Sequence, residues 1–356
     1  MNILKFLEEK APLLDKTIEK YIPREFAAKD IIFKLNPPNY SYNIEALNKA
    51  IADPIWDLLD RGGKRWRPVL FLLIVEALGK NPADFLDFAI IPEVVHNGTL
   101  MIDDVEDSSD LRRDKKCTYK IFGLDIAVNA GNAMYYLPLL PLILNRKKIS
   151  AETLRDIYEI YVQEMINLSM GQAMDIAWHK GLADTDDLTQ EDYLQMCAYK
   201  TGTLSRMAAK IAAVLSETSK ELIEKLGNFA ESIGVAFQMQ DDVLDLTEEK
   251  FAEKKGALGM DITEGKRTLL VIHTLKVANL QEKKRLLNIL DMHTSDQKLR
   301  DEAINIMKKN GSIKYVKAIA SKMVENSWLA AESYLLPSDA KEKLKAFAQF
   351  LIHRSI

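Results

Sequence analysis

The sequence predicts an all-α protein, and three features of its 356 residues support this prediction. All 11 prolines lie outside residues 142–336, so nothing in that long stretch forbids continuous helix. Apolar residues recur there at helical spacing, whereas strand-like alternation is hard to find. The turn signals are short, which predicts helices packed without a large linker. With 47% hydrophobic residues the chain can bury a sizeable core.

The first part of the chain predicts helices that are interrupted by proline. In residues 1–60, Pro23, Pro37 and Pro38 separate short amphipathic pieces, which predicts an N-terminal helical extension packed on the same body. Residues 128–144 are strongly apolar but contain two prolines, and they fall short of the ~20 residues that cross a bilayer. We therefore expect a buried, kinked helix there and no integral membrane segment.

The later part of the chain predicts long helices with short turns. Apolar residues in 154–168 and 222–233 follow the helical period, and turns are expected at 180–181, 216–219 and 310–312. Residues 184–187 are acidic and could form a metal cluster. They lead into Thr189, Glu191 and Asp192, a pattern typical of a helix N-cap with an acidic first turn. We favour the cap.

Charge and cysteine content exclude some classes of protein. Lys and Arg number 48 against 52 Asp and Glu, and a net charge of −4 gives no dominant basic face for nucleic acid or anionic lipid. Cys117 and Cys197 fit neither zinc-ligand spacing nor a disulfide framework. The N-terminus lacks the basic start and long apolar core of a signal peptide. Together these features predict a cytoplasmic protein.

Two acidic motifs are the strongest chemical signal. Asp103 and Asp107 lie four residues apart, as do Asp241 and Asp245, so each pair projects from one helix face with about 6 Å along the axis. Each motif follows a strongly apolar turn, where uncompensated carboxylates are costly. Oxygen-rich sites of this kind suit Mg²⁺, which takes its remaining ligands from water and substrate phosphates. We expect the two sets to face each other and hold a diphosphate.

Basic residues would complete the charge balance. In residues 62–68, Pro68 is expected to open a helix with Arg67 extended before it, so that the helix N-terminus and its cations bind phosphate. The alternative is a basic surface turn. Arg112 and Arg113 follow the first acidic motif, and further cations stand at 200 and 266–267, although each alone is more often a solvated side chain. His96 lies seven residues before the first aspartate, where a phosphate donor and a core histidine are both possible.

In the order and spacing of these motifs, from about residue 60 to 275, the chain closely resembles the trans-isoprenyl diphosphate synthases, the polyprenyl synthetase family. Residues 103–107 and 241–245 match the family's two aspartate-rich motifs, and residues 96–102 look most like geranylgeranyl diphosphate synthases. The other matching segments are 62–65 with 67–68, 111–113, 171–172 with 175, 200–202, 237–238 and 265–268. The sequence departs from the family in two places. Asn132 stands where many members have an aspartate, and Lys254 and Lys255 precede residues 259–261 in a shifted order, so that neither lysine is given a role.

The resemblance implies a fold and a reaction. The fold is the isoprenoid synthase fold, a single-domain antiparallel helical bundle around a deep central cavity, here residues 1–356 with 1–60 as the extension. The reaction joins isopentenyl diphosphate to an allylic diphosphate (dimethylallyl, geranyl or farnesyl). The cofactor is Mg²⁺, with three ions in each active site once substrate is bound. The resemblance also implies a homodimer whose partners are otherwise small isoprenoid diphosphates.

The resemblance also implies roles for individual residues. The residues expected to bind isopentenyl diphosphate are Lys64, Arg67, His96 and Arg113. Those expected to bind the allylic diphosphate are Arg112, Lys200, Thr201, Gln238 and Lys266. The metal ligands are Asp103, Asp107 and Asp241, with Asp242 and Asp245 in support. The residues expected to be catalytic are Asp103, Asp107, Arg112, Lys200, Asp241 and Lys266.

The growing tail is expected to run along the helix that bears the first motif, past Thr99 and Val95, one and two turns before Asp103. Gly98 and Thr99 are small and should leave that path open, which predicts a product of geranylgeranyl length or longer.

The sequence leaves two alternative functions. A terpene cyclase usually carries an Asn/Ser/Glu-based second metal motif, and a non-catalytic subunit of a heteromeric synthase typically loses an aspartate motif or the cationic loop.

Overall fold

The computed structural model describes residues 3–27, 39–185, 187–248 and 257–353. Regular structure within these ranges is helical apart from one pair of two-residue strands, which confirms the all-α prediction. The chain divides into two compact units, Met1–Asp156 and Ile157–Ile356, which are described separately. The expectation of one domain with residues 1–60 as an extension stays a prediction. Lys254 and Lys255 lie outside the described residues.

The first unit consists of short and medium helices with one strand pair. In chain order its elements are α1 (Ile3–Tyr21), α2 (Ile44–Leu47), a π-helical turn (Asn48–Ala52), α3 (Asp53–Leu59), α4 (Trp66–Ala77), a 3-10 turn (Pro82–Phe85), α5 (Leu86–Ala89), α6 (Ile91–Glu106), β1 (Leu111–Arg112), β2 (Lys115–Lys116), α7 (Thr118–Phe122), α8 (Leu124–Tyr136), a second 3-10 turn (Leu137–Leu139) and α9 (Leu140–Asn145).

The core of the first unit brings α1, α3, α6 and α8 together. Ile18 and Ile22 near the end of α1 belong to the same buried cluster as Trp56 on α3, and the Trp56 Nε1 donates to the carbonyl of Ile22 at 3.2 Å. Helix α6 packs closely on α8 at two glycines. A Cβ added at Gly98 would lie 3.0 Å from the Gly131 carbonyl oxygen. This close crossing fixes the helix that carries the first aspartate motif.

The proline-containing apolar segment is interrupted as predicted. Helix α8 ends at Tyr136, a 3-10 turn containing Pro138 follows, and α9 begins at Leu140. The segment is less buried than predicted, because Tyr136 and Leu144 are exposed. A proline removes a backbone donor and clashes with the preceding turn, which accounts for the interruption.

Two helical segments, Pro82–Glu106 and Leu124–Asn145, are apolar and long enough to cross a membrane if length and composition alone are considered. Core helices of soluble proteins meet the same criterion. Of the apolar window in the first segment, 61% is buried by protein. These segments are therefore weak evidence for a membrane span.

The second unit is built from longer helices. In chain order its elements are α10 (Ala151–His179), which begins in the first unit, α11 (Gln190–Cys197), a π-helical turn (Ala198–Gly202), α12 (Thr203–Leu215), α13 (Lys220–Thr247), α14 (Met260–Thr263), α15 (Leu269–Val277), α16 (Leu280–Asp291), α17 (Gln297–Lys309), α18 (Ser312–Glu332) and α19 (Asp339–His353).

Helix starts in the second unit follow from local sequence. Thr189 caps α11 in a capping box with Asp192, which confirms the predicted cap. Ser219 caps α13 through its side chain. Helix α13 is mostly buried and packs against α12 and α18. It carries the second aspartate motif from Asp241 to Asp245 near its C-terminal end.

Candidate active site

The first aspartate motif stands at the C-terminal end of α6. Asp107 is the C-cap residue, and its backbone N–H donates to the carbonyl of Asp103 at 2.9 Å, so the two residues lie one helical turn apart as predicted. The C-terminus of a helix carries partial negative charge, which disfavours carboxylates there and favours cations. This end of α6 is therefore electrostatically suited to bind a divalent cation.

An ion pair joins the buried Asp104 of this motif to the half-buried Arg112. Asp104 is fully buried, and its Oδ1 accepts hydrogen bonds from Arg112 Nε at 2.8 Å and Nη2 at 2.5 Å. The same Nη2 lies 3.9 Å from Asp103 Oδ2. Burial raises the pKa of Asp104, and the charge of Arg112 opposes this rise. Sequence reasoning gave Asp104 no role, but the structure shows that it holds Arg112 next to Asp103.

A two-residue hairpin turn presents Arg112 and Arg113. Strands β1 and β2 pair antiparallel with Arg112 opposite Lys115. The residues between them, Arg113 and Asp114, have φ of 52° and 62°, which defines a turn of the I′ kind. Arg113 Nη2 donates to Asn97 Oδ1 at 3.3 Å, and Nη1 donates to the carbonyl of Gly62. The hairpin thus places Arg112 in contact with Asp104 and Arg113 in contact with Asn97 of α6.

Cations predicted to bind isopentenyl diphosphate influence one another. Burial, followed by the positive charge of Arg67 and Arg113, lowers the pKa of His96 well below its usual range. Burial also lowers the pKa of Arg67 and of Arg113 to about 10 each, so both remain cations at neutral pH. Arg67 Nε is buried without a hydrogen-bond partner. A neutral histidine among crowded guanidiniums indicates a site for an anion.

The start of α4 differs from the sequence prediction. The helix begins at Trp66, so Arg67 is in its first turn rather than extended before it, and Pro68 is its third residue. The turn geometry is set by Arg65, which has φ of 47° as the N-cap and is buried in ion pairs with Glu93 at 3.1 Å and Asp15 at 2.9 Å. A proline is tolerated anywhere in a first turn, where no N–H partner exists. Lys64 is exposed just before this turn.

The residues predicted to line the tail path have different surroundings. Val95 is fully buried, and Thr99 is half-buried with its hydroxyl donating to the His96 carbonyl at 2.7 Å. Gly98 does not leave space, because a Cβ there would lie 2.8 Å from the Cβ of Met134 on α8. This corrects the prediction for Gly98: the glycine is required for helix packing.

In the second unit, the aspartate motif anchors the chain that begins again at residue 257. Asp241 is half-buried, while Asp242 and Asp245 are buried. Asp245 Oδ2 accepts the backbone N–H of Asp261 at 3.1 Å. Asp261 Oδ1 in turn lies 3.6 Å from Lys266 Nζ. The structure therefore connects Asp245 to Lys266 through Asp261, to which the sequence assigned no role because 16 positions separate the two aspartates.

Lys200 lies in the π-helical turn after α11. Its Nζ pairs with Asp175 Oδ2 on α10 at 2.5 Å. Helix α10 approaches so closely that a Cβ at Gly171 would lie 2.6 Å from the carbonyl carbon of Tyr199. A π-helical turn inside a helix frequently marks a functional site. The backbone that carries Lys200 is therefore held by direct contact with α10.

Four side chains, Tyr193, Thr201, Gln238 and Asp242, form what we call the Asp242 network. Tyr193 Oη donates to Asp242 Oδ2 at 2.7 Å, and Gln238 Nε2 donates to Oδ1 at 2.8 Å. Thr201 Oγ1 donates to Gln238 Oε1 at 3.1 Å. The sequence predicts that Asp242 supports metal binding and that Gln238 and Thr201 bind the allylic diphosphate. The structure instead joins the three to one another and to Tyr193, which the sequence did not single out.

The donor atoms of the aspartate motifs fit Mg²⁺. All are carboxylate oxygens, the ligands that Mg²⁺ prefers, and the helix end at Asp107 favours a cation. Among the described residues no three His, Cys, Asp or Glu side chains are grouped closely enough to hold a metal by themselves. This is compatible with Mg²⁺, because that ion keeps waters and takes further ligands from substrate phosphates.

Comparisons with known proteins agree with these features. The polyprenyl synthetase family model matches residues 48–307. A short chain isoprenyl diphosphate synthase of Methanothermobacter thermautotrophicus is 33% identical over 83% of this chain and 88% of its own. A geranylgeranyl diphosphate synthase of Saccharolobus solfataricus is 29% identical over 86% of this chain and 91% of its own. The crystal structure of a geranylgeranyl pyrophosphate synthetase from Pyrococcus horikoshii has a TM-score of 0.84 and 29% identity, covering 99% of this chain and 98% of that one.

Proposed function

The chain belongs to the polyprenyl synthetase family and is a trans-prenyltransferase, and on this premise we propose that it joins isopentenyl diphosphate head-to-tail to an allylic diphosphate. The product is geranylgeranyl diphosphate or a longer polyprenyl diphosphate, together with pyrophosphate. The observation that carries the proposal is that each of two aspartate motifs lies next to a cation held by neighbouring acids: Arg112 by Asp104, and Lys266 by Glu264 and, at 3.6 Å, by Asp261.

Catalysis in this proposal rests on charge at the leaving group. Asp103 and Asp107, together with Asp241 and Asp245, would hold Mg²⁺, which would supply positive charge to the allylic diphosphate. Arg112, Lys200 and Lys266 stabilise the charge that develops on it as the carbon–oxygen bond breaks. The isopentenyl double bond supplies the electron pair of the new carbon–carbon bond. A proton then leaves the adjacent carbon for the departed pyrophosphate, so no protein base is required.

The second substrate binds through the other cation set. Arg67 and Arg113 pair with the diphosphate of isopentenyl diphosphate, and neutral His96 donates a hydrogen bond to it. Lys64 approaches from the exposed loop before α4. Because Arg67 is buried and Arg113 is half-buried, their attraction to an anion is less screened than that of surface cations. The arrangement supports a site that binds a diphosphate without metal.

Purified protein incubated with isopentenyl diphosphate, Mg²⁺ and each allylic primer in turn tests the proposed function. We expect prenyl diphosphates of 20 or more carbons, the geranylgeranyl length, identified by mass. A hydrocarbon or alcohol formed from the allylic diphosphate alone would indicate a terpene cyclase. Absence of any product would indicate a non-catalytic subunit.

The tail path makes a prediction about product length. We expect Thr99→Phe to shorten the main product, because a phenyl ring one turn from Asp103 blocks the direction in which the tail grows. Thr99→Ser is the matched control, since serine keeps the hydroxyl that donates to the His96 carbonyl and adds no bulk to the path, so it should leave the product unchanged. An unchanged product distribution in the phenylalanine variant, measured with the same primer, contradicts this tail direction.

We infer a homodimer whose interface includes one face of α10. Val162, Ile166 and Met170 are spaced four residues apart and are 55%, 48% and 55% exposed, which makes an apolar stripe on this helix. Ile166→Lys is expected to give a monomer by light scattering, because a two-fold interface repeats the buried charge on both copies. Leu280→Lys is the control, with an equally apolar exposed side chain off the stripe. A dimeric Ile166→Lys protein would exclude this face.

Location and other partners are inferred from composition. Both cysteines are buried free thiols, as expected in a reducing cytoplasm. The net charge of −4 supports small diphosphates, rather than nucleic acid, as the partners.

A further inference from the structure

The Asp242 network has a fixed direction. An ionised carboxylate only accepts hydrogen bonds, so Tyr193 and Gln238 must both donate to Asp242. The Gln238 amide is thereby oriented with its oxygen toward Thr201, whose hydroxyl donates to it. The hydroxyl hydrogen of Thr201 and one amide hydrogen of Gln238 are therefore given to protein acceptors.

The network supports a backbone geometry that is intrinsically uncommon. π-helical turns are rare and need tertiary contacts to persist. The turn at Ala198–Gly202 is held on one side by α10 at Gly171 and on the other by α13, where a Cβ at Gly234 would lie 2.8 Å from the Cα of Gly202. The bond from Thr201 to Gln238 is the polar part of this second contact. Lys200 lies in the same turn, between the two contacts.

Tyr193 and Asp242 are buried and connect to this contact through Gln238. Tyr193 is 1% exposed and Asp242 is 4% exposed, so neither can exchange its partner for water at low cost. Removal of the tyrosine hydroxyl would leave a buried carboxylate oxygen without that donor. The carboxylate, and Gln238 with it, would then shift toward another donor.

We propose that Tyr193 and Asp242 are positioning residues for the allylic diphosphate: through Gln238 and Thr201 they hold the π-helical turn so that Lys200 is presented to that substrate. The inference rests on the proposed function, and it replaces the role of Asp242 as a metal ligand. Asp242 acts through its neighbours and does not touch the substrate.

Steady-state kinetics of Tyr193→Phe tests the proposal. We expect KM for the allylic diphosphate to rise about tenfold, as for the loss of one hydrogen bond to a charged group, with KM for isopentenyl diphosphate within about twofold of wild type. Tyr315→Phe is the matched control. It removes a tyrosine hydroxyl that donates to Gln190 on α11 at 2.5 Å, in the same unit but outside the network. A merely structural loss would change both KM values in both variants alike.

Substitutions at Thr201 test whether the residues act as one chain. Thr201→Val should reproduce the rise in KM for the allylic diphosphate, whereas Thr201→Ser, which keeps the hydroxyl, should retain near wild-type KM. In the double variant Tyr193→Phe/Thr201→Val, KM for the allylic diphosphate should also rise only about tenfold. Both substitutions break the same chain of hydrogen bonds, so their effects on KM should not multiply. Three outcomes would each overturn the proposal. The two substitutions could multiply their effects on KM in the double variant, Thr201→Ser could be as impaired as Thr201→Val, or Tyr193→Phe could have the same kinetics as Tyr315→Phe.

Binding of an unreactive allylic diphosphate analogue can be measured without catalysis, which separates this inference from the proposed function. Calorimetric titration with farnesyl thiolodiphosphate and Mg²⁺ reports allylic diphosphate affinity without turnover. Tight binding by wild type and about tenfold weaker binding by Tyr193→Phe support the network even if no product forms. Product formation by wild type with equal affinity in both proteins supports the function and refutes the network.

Discussion

The Asp103→Asn variant is expected to lose about a thousandfold in kcat, equivalent to about 4 kcal/mol of transition-state stabilisation. Asparagine keeps the size of the side chain but removes the charge that, in the proposed mechanism, would hold Mg²⁺ at the end of α6. The leaving diphosphate then develops its charge with weaker compensation. Steady-state kinetics with saturating substrates and increasing Mg²⁺ measures the loss, and higher Mg²⁺ should restore only part of it.

The stability of the same variant should change little. The helix dipole disfavours negative charge at Asp103 in the last turn of α6, whereas the guanidinium of Arg112, 3.9 Å away, favours it. Because these effects oppose each other, we expect the free energy of unfolding of the metal-free protein to change by less than about 1 kcal/mol. Asp87→Asn is the control, because Asp87 pairs with Lys20 on the surface, 2.7 Å away. We expect it to leave kcat unchanged. A kcat within tenfold of wild type in Asp103→Asn would remove the first motif from the mechanism.

Features set by neighbouring residues in the sequence could be predicted. The placement of proline gave the all-α class, Thr189 and Asp192 gave a capping box, and the four-residue spacing of Asp103 and Asp107 gave one helical turn. The spacing of His96, seven residues before Asp103, also predicts either a phosphate donor or a core histidine. In the structure the positive charge of Arg67 and Arg113 affects its pKa.

Features set by distant residues could not be predicted. The hairpin at Arg113 and Asp114 lacks the glycine or asparagine that normally marks such a turn, so no local signal indicated it. Tyr193 and Asp242 are 49 positions apart, and their hydrogen bond depends on how α11 packs against α13. Gly98 shows the same limit. From the sequence alone its small size predicts open space, whereas in the structure it allows close contact between α6 and α8.

Gly171 gives the second prediction with a large effect. In a helix interior, replacing glycine with alanine normally stabilises a protein by about 1 kcal/mol. Here the added methyl group would overlap the π-helical turn backbone, lying 2.6 Å from the carbonyl carbon of Tyr199 and 2.8 Å from the Cα of Lys200. Backbone atoms cannot rotate away, so the turn must move as a whole. We expect Gly171→Ala to lose at least about a hundredfold in kcat/KM through misplacement of Lys200.

The matched control for this prediction is Gly227→Ala on α13. Its added Cβ would meet Lys210 Cε at 2.7 Å, and that flexible side chain can move aside at little cost. Gly227→Ala should therefore be as stable as wild type or slightly more so, with unchanged kcat/KM. Gly171→Ala should unfold at a lower temperature, since overpacking costs about 1–3 kcal/mol. If thermal unfolding and kinetics show the two alanine variants to be alike, α10 does not contact the turn that carries Lys200, and Lys200 must be positioned in another way.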